Sequence, residues 1–414
     1  MAVSEGDAIG LYLSIPFCRS KCTYCNFASG VYPASEHGRY VDRLIADLAV
    51  AGEWAARMGL DLPLRVDTVY LGGGTPSLLA PALLSGLFAA MRTEFDFDAD
   101  AEITVECAPG QLADDTLGAL AAAGVNRVSL GVQSFIDPEA AVSGRLHNRV
   151  TVLNDLRRLR AAGIANLSID LIAGLAGQTF ASWDESLAAL IESGVPHASV
   201  YMLEVDEDSR LGREMLAGGA RYHAGLVPAD DAIAWMYAAA IERLAGAGLE
   251  QYEISNFAQP GFESRHNLRY WQRRPYLGLG LDASSMLREA VSAPGEIERR
   301  RVLRSTTTSD LAEYLEGSEP AETDWISRAR QHEEAWFLGL RLNAGVDIAA
   351  VKGEFGSEMV TPALEVVARM EEDGLVTSNG NTIQLTPRGQ MLSNDVFQEF
   401  LDLEPQLNSA TQVH

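Results

Sequence analysis

The sequence predicts an α/β fold: a partial (β/α)6 barrel followed by a C-terminal winged-helix-like α+β domain. Three observations carry that expectation. Short apolar, β-branched runs alternate six times with longer amphipathic stretches, the pattern of β–α units laid around a parallel sheet. Several helical stretches stop at a glycine before the next run (Gly124, Gly163, Gly194), as a left-handed helix cap requires. At 414 residues the chain exceeds one average domain, so a large barrel with a smaller appendage is the reasonable division.

Taken in order, the strand candidates are Ile9 to Ile15, Val66 to Leu71, Ala101 to Glu106, Arg127 to Gly131, Leu167 to Ile172 and Ala198 to Leu203. Between them lie helix candidates at Tyr40 to Met58, Leu78 to Arg92, Asp114 to Ala123, Thr151 to Ala162 and Phe180 to Ser193. The pattern loosens from Arg210 to Pro228 and resumes as a long helix from Asp230 to Ala247. Pro294, the charged run Glu296 to Arg301 and the threonines Thr306 to Thr308 suggest a boundary, dividing the chain into 1–300 and 301–414. From Trp325 to Leu403 the tail reads as three helices, then a β pair from Leu375 to Leu385 turning at Asn379-Gly380-Asn381. No internal repeat or low-complexity segment is evident.

Six units fall short of the eight that close a barrel, and parallel barrels gather their chemistry at the C-terminal ends of the strands. Glu106 ends the third predicted strand, Gln133 follows the fourth, Asp170 lies in the fifth and Glu204 ends the sixth.

Lys and Arg number 32 against 57 acidic groups, a net charge of −25. Such a chain repels phosphate backbones and anionic lipid, which argues against nucleic acid as a partner. The winged-helix-like tail is therefore expected to serve packing or partner docking rather than DNA. No apolar run reaches a membrane span, and the first residues, Met1 to Asp7, carry acid where a secretory leader needs base. A cytoplasmic protein is expected, in a reducing compartment that keeps thiols free.

Cys18-x-x-x-Cys22-x-x-Cys25 places three of the four cysteines in one loop after the first strand. Three thiolates can hold three corners of a [4Fe-4S] cubane and leave the fourth iron open to a small molecule. A disulfide would strand one thiol. A structural zinc would need a fourth ligand, and the nearest histidine, His37, stands alone. Gly72-Gly73-Gly74-Thr75-Pro76 reads either as a tight strand-to-helix turn or as a place where backbone must approach a ligand. Taken singly, Glu106 reads as a strand-end acid, Gln133 as a turn residue, Arg145 as a helix charge and Asp170 as a capping or structural acid. Their shared position at strand ends favours a ligand site, where Arg145 would offer a carboxylate two parallel bonds. His266, beside Tyr270 and Trp271, reads as a hydrogen-bonded packing residue or as an axial haem ligand in an apolar pocket.

The cysteine spacing with Tyr24 resembles the radical S-adenosylmethionine (SAM) superfamily. That resemblance implies that SAM chelates the open iron and that an injected electron breaks its sulfonium bond to give a 5′-deoxyadenosyl radical. The glycine run looks like the superfamily's glycine motif. Ile15-Pro-Phe-Cys18, Gly72 to Pro76, Gly131-Val-Gln-Ser134, Arg145-x-His147 and Asp170-Leu-Ile-x-Gly-Leu175 narrow the likeness to the oxygen-independent coproporphyrinogen III dehydrogenase group. Tyr252 to Ala258 and Ser264-Arg-His266-Asn267-Leu-Arg-Tyr270-Trp271 are similar to its HemW family of haem chaperones. By that resemblance the SAM contacts map to Tyr12, Tyr24, Gly73, Gly74, Thr75, Glu106, Gln133, Arg145 and Asp170, and His266 becomes the candidate haem ligand. It implies a protein that binds a cluster, SAM and haem, and delivers haem to apo-haemoproteins such as respiratory cytochromes. A membrane-bound acceptor and a homodimer stay open.

Two other functions compete: the dehydrogenase reaction itself, and a structural cluster protein without turnover. The dehydrogenase resemblance would carry a cysteine where this chain has Phe27, and a long segment ahead of the cluster that Cys18 leaves no room for. Two departures from the HemW pattern stand out. Asp282-Ala-Ser284-Ser285 replaces an expected Gly-Ala-His-Ser, and Glu106-Cys107-Ala108-Pro109 replaces Glu-Ala-Asn-Pro. Cys107 is then expected to be a buried small side chain.

Overall fold

The computed structural model describes residues 8–290, 300–317 and 322–403. Met1 to Asp7, Pro294 and most of the charged run from Glu296 lie outside them.

The six predicted strands form, and lie side by side in chain order as a parallel set: β1 Ala8–Ile15, β2 Arg65–Gly73, β3 Asp96–Cys107, β4 Arg127–Gln133, β5 Asn166–Ala173 and β6 His197–Met202. Strand Tyr276–Gly280 adds a seventh parallel partner on the free side of β1. Beyond it Ser284–Glu289, Val302–Thr306 and Glu322–Ile326 continue antiparallel. On the other side β6 pairs antiparallel with Asn256–Ala258, which pairs with Glu250–Glu253. Among the described residues the strand path runs between these two edges and does not close.

The helices return over one face of this sheet. Ser35–Arg57 buries Tyr40, Val41, Leu44, Leu48, Ala51 and Ala55, a stripe at three- and four-residue intervals. It begins five residues before the predicted start because its first turn is polar and carries no apolar period. The next helix starts at Pro81 rather than Leu78. Proline suits the first helical position, and Pro76–Leu78 forms a separate 3-10 turn. Gly124, Gly163 and Gly194 all adopt positive φ, as anticipated.

Alternation along the strands divides the side chains sharply. Leu11 and Leu13, Val69 and Leu71, Ile103 and Val105, Val128 and Leu130, Ile169 and Leu171, and Ala198 and Val200 are buried in the apolar core. The other face carries Tyr12, Tyr70, Glu106, Arg127, Ser129, Ser168, Asp170, His197 and Ser199, matched by register across neighbouring strands. A closed barrel fills that space with branched aliphatic residues. Here it is polar, and it forms the floor of the site.

Val302–Thr306 and Glu322–Ile326 belong to the main sheet although both follow residue 300. The main sheet thus runs past residue 300 to Ile326, and of the threonine run read as a boundary only Thr306 lies in a strand. The tail then folds as helices Arg328–Gly339, Ile348–Phe355 and Ser357–Glu372 with a three-stranded sheet of Val346–Asp347, Thr382–Leu385 and Val376–Asn379. It packs around its own core, which includes Trp336, Val360, Val366, Ile383 and Phe400. The hairpin turns at Gly380, whose φ of +64° explains the glycine. Among the described residues no helix is long and apolar enough to cross a membrane.

Candidate functional site

The loop after β1 is pinned at its neck. The Cys18 amide donates to the Gly30 carbonyl and the Gly30 amide to the Pro16 carbonyl, each at 2.8 Å. Lys21 spans the loop, its Nζ donating to the carbonyls of Phe27 (2.7 Å) and Ser29 (2.8 Å). The glycine run is tied to the same neck: Gly74 donates to Ile15 and Thr75 to Phe17, again at 2.8 Å. A Cβ on Gly74 would sit 2.7 Å from the Ile15 oxygen and 2.8 Å from the Pro16 carbonyl carbon. The glycine there is thus demanded by the cysteine loop's own backbone. Gly73 has φ +97°, and a Cβ on Gly72 would press on Tyr70 and Glu106.

Cys18, Cys22 and Cys25 are free thiols facing one cavity of about 610 Å³ at the C-terminal ends of the strands. Thr75 Oγ1 lies 3.9 Å from Cys18 Sγ, Arg145 Nη1 donates to Cys22 Sγ at 3.5 Å, and Ser29 Oγ lies 3.9 Å from Cys25 Sγ. Burial pushes the Cys18 thiol above its usual range, with the charges of Cys25 and Cys22 adding to it. Three thiols facing one cavity beside a guanidinium fit a polynuclear metal core that would hold them as thiolates.

The same cavity is lined by Tyr24, Gly73, Gly74, Thr75, Glu106, Gln133, Arg145 and Asp170, eight of the nine SAM positions expected from the resemblance. The ninth, Tyr12, lies beneath them, its ring 6.2 Å from Tyr70. Tyr70 donates its hydroxyl to Glu106 Oε1 at 2.8 Å. Burial raises the Glu106 carboxyl to about 7, with Asp170 adding to the rise and the Tyr70 and Gly73 hydrogen bonds opposing it. Burial also raises Asp170, although Ser129 Oγ donates to it at 2.9 Å. Gln133 takes φ +69° at a break in the β4–β5 register, which turns it over the cavity. The Arg145 fork is turned toward Cys22 and the Gly131 carbonyl, so it serves the cluster loop as well as any carboxylate.

His266 is fully buried and does not line the cavity. Its Nδ1 lies 2.9 Å from Thr68 Oγ1 and its Nε2 2.9 Å from the Tyr270 hydroxyl, so both ring nitrogens are engaged. Burial, with Arg269 and Arg127 nearby, lowers its pKa to about 3, and the ring is neutral. Its backbone amide is fixed by Glu102, and its ring lies tilted at 31° to that of Tyr70, 5.3 Å between centres. Ser284, where relatives would show histidine, bonds Thr306 across two antiparallel strands. Cys107 is buried as expected, its thiol pushed up to about 12 by burial.

Sequence reasoning missed Tyr70, Ser129, Tyr201 and Arg127. Tyr70 pairs with Tyr12, Ser129 with Glu106, and Tyr201 with Ile172, two residues beyond Asp170, so knowledge of the strand register would have found all three. Arg127 is 1% exposed, its Nε has no hydrogen-bond partner, and its charge opposes the rise that burial imposes on the Glu106 and Asp170 carboxyls. Nothing in its local sequence marks it.

Residues 12–190 match the radical SAM superfamily and residues 326–392 the HemN C-terminal domain. The heme chaperone HemW of Lactococcus lactis is 32% identical over 394 residues, covering 94% of this chain and 96% of the relative. That of Mycobacterium tuberculosis is 33% identical over 403 residues, 97% of each. The solved structure of the Escherichia coli coproporphyrinogen III oxidase HemN, described as a radical SAM enzyme, superposes with a TM-score of 0.79 at 23% identity. The match covers 95% of this chain and 90% of that one, and it shows a common fold. The chain belongs to the HemW family of the radical SAM superfamily.

Proposed function

We propose that this protein is a haem chaperone that carries a [4Fe-4S] cluster on Cys18, Cys22 and Cys25, binds SAM beside it, and delivers haem to apo-haemoproteins such as respiratory cytochromes in the cytoplasm or at its membrane. The observation that carries the reading is the meeting of the three thiols with Gly73, Thr75, Glu106 and Asp170 around one cavity, in a chain whose near-full-length relatives are named haem chaperones. When bound, a cluster with one open iron supplies one-electron chemistry toward SAM. The residues of this chain do the rest. Glu106 and Asp170 would accept hydrogen bonds from the nucleoside hydroxyls, Gly73 and Thr75 would border the methionyl end, and Arg145 would offset the negative charge of the thiolates.

Phe27, 64% exposed on the cavity rim, weighs against the dehydrogenase reading, which expects a cysteine there. Ligation of haem iron by His266 requires its Nε2 to leave Tyr270 and the buried ring to become accessible. An unchanged Soret band in His266→Ala would remove it from the haem site.

The deciding experiment is haem titration and porphyrin turnover on the same anaerobic, cluster-reconstituted preparation. Saturable haem binding, transfer to an apo-cytochrome and no vinyl porphyrin from coproporphyrinogen with SAM and a reductant are expected. Substantial protoporphyrinogen formation would overturn the chaperone reading.

A further inference from the structure

A second cavity, of about 210 Å³, lies where the edge of the main sheet meets the C-terminal unit, away from the cysteines. Three of the residues lining it are arginines from three different places: Arg273 after helix Arg265–Trp271, Arg288 in strand Ser284–Glu289 and Arg300 just ahead of strand Val302–Thr306. In a chain with a net charge of −25 such a gathering of cations calls for a reason.

The carboxylates at the cavity are already committed. Glu354 takes Arg273 in a two-pronged pair at 2.6 and 3.1 Å, and Glu334 takes Arg304 at 3.0 Å. Arg300 reaches out of the cavity to Asp61 at 3.2 Å. Arg288 makes no ion pair or hydrogen bond to a carboxylate among the described residues, the nearby Glu354 being held by Arg273. Its one hydrogen bond runs from Nη2 to the Arg273 carbonyl at 3.2 Å, and its Nε, like that of Arg300, is buried without a partner. Burial and the neighbouring Arg273 and Arg300 disfavour its charge, and Glu354, already paired with Arg273, offsets only part of that.

Backbone geometry adds an independent sign. Arg273 has φ +52°, and its amide bonds the Tyr270 carbonyl while the Arg274 amide bonds that of Arg269. This is the helix-ending motif whose left-handed position glycine ordinarily fills. An arginine held there accepts strain to keep its guanidinium at the cavity.

We propose that this cavity is a binding site for a phosphate-type oxyanion that Arg288 holds with Arg300 and Arg273, joining the barrel to the C-terminal unit. A part-buried cation that shares its nearest carboxylate with Arg273 is costly, and an anion in the cavity would lower that cost while giving both orphan Nε–H donors a partner. Donors arriving from three directions suit a tetrahedral acceptor with four oxygens better than a planar carboxylate with two.

The test uses the full-length protein and Arg288→Gln, titrated calorimetrically with inorganic phosphate and, separately, succinate at matched ionic strength, with melting followed in parallel. Wild type should bind phosphate saturably and melt higher in it. Arg288→Gln should lose at least tenfold in phosphate affinity, yet melt no lower than wild type in phosphate-free buffer, because an unpaired charge has gone. Absence of saturable phosphate binding by wild type would overturn the proposal. So would an equal fall in melting temperature with and without phosphate, which would mark Arg288 as purely structural. Succinate binding as tightly as phosphate would overturn the choice of a tetrahedral ligand.

Discussion

Glu106 offers a direct measure of how far the cavity is tuned for a ligand at the expense of the fold. In the SAM-free protein its carboxyl is raised from 4.5 to about 7, chiefly by burial. Each pH unit of such displacement is worth about 1.4 kcal/mol, so full ionisation costs the folded state about 3 kcal/mol. The sign follows from proton counting. Between 4.5 and 7 the folded chain holds a proton that the unfolded chain has released, so this group's contribution is full below 4.5 and is lost as pH rises through 7. Glu106→Gln keeps an acceptor for Tyr70 and removes the titration. Wild type should therefore lose about 2 kcal/mol relative to Glu106→Gln between pH 5.5 and pH 8.0. Urea unfolding of both proteins, anaerobic and without SAM, at the two pH values gives the number. A difference that stays constant within about 0.5 kcal/mol would refute a carboxyl desolvated to this degree. In the same variant SAM affinity should fall on the order of tenfold, the worth of a hydrogen bond to a charged group.

Gly74→Ala should cost about 2–4 kcal/mol in urea unfolding and reduce iron retention, since its Cβ must displace the cluster loop at Ile15 and Pro16. Alanine at any one of Cys18, Cys22 or Cys25 should abolish the broad iron–sulfur absorbance of anaerobically reconstituted protein, with iron assayed chemically. Retention of a full iron complement would refute the three-thiol site. His266→Ala should destabilise the protein by about 2–4 kcal/mol whether or not haem is present, because Thr68 and Tyr270 lose their shared partner in a fully buried site. A neutral effect on denaturation would show that the pair of hydrogen bonds is dispensable.

The six parallel strands were legible because each is a β-branched run buried on its helix side, and the cysteine loop because its spacing has few other uses. The polar lining of the barrel was only half legible. Glu106 and Asp170 declared themselves as acids at strand ends, whereas Tyr70 looks like any apolar strand residue until its register with Tyr12 and Thr104 is known. Arg127 is illegible for a different reason. Its role depends on charges at Glu106 and Asp170, on neighbouring strands and far away in sequence. The strands at Val302–Thr306 and Glu322–Ile326 were hidden because each carries only two apolar residues beside three polar ones (Arg304, Ser305 and Thr306; Glu322, Thr323 and Asp324), too few to read as a buried strand. For His266, sequence could name two roles but not choose between them, since the choice turns on whether hydroxyls of Thr68 and Tyr270 reach both nitrogens.

The strand that leads into the cysteine loop sits between β2 and Tyr276–Gly280, a neighbour that emerges from the ribosome some 260 residues later. Until that partner is synthesised, one whole edge of β1 stands unpaired, and the loop it carries hangs from a half-built sheet. Loading of metal should therefore follow completion of the chain rather than accompany its growth. A nascent protein truncated before Tyr276 should be prone to aggregate and poor at retaining iron, however intact its three thiols.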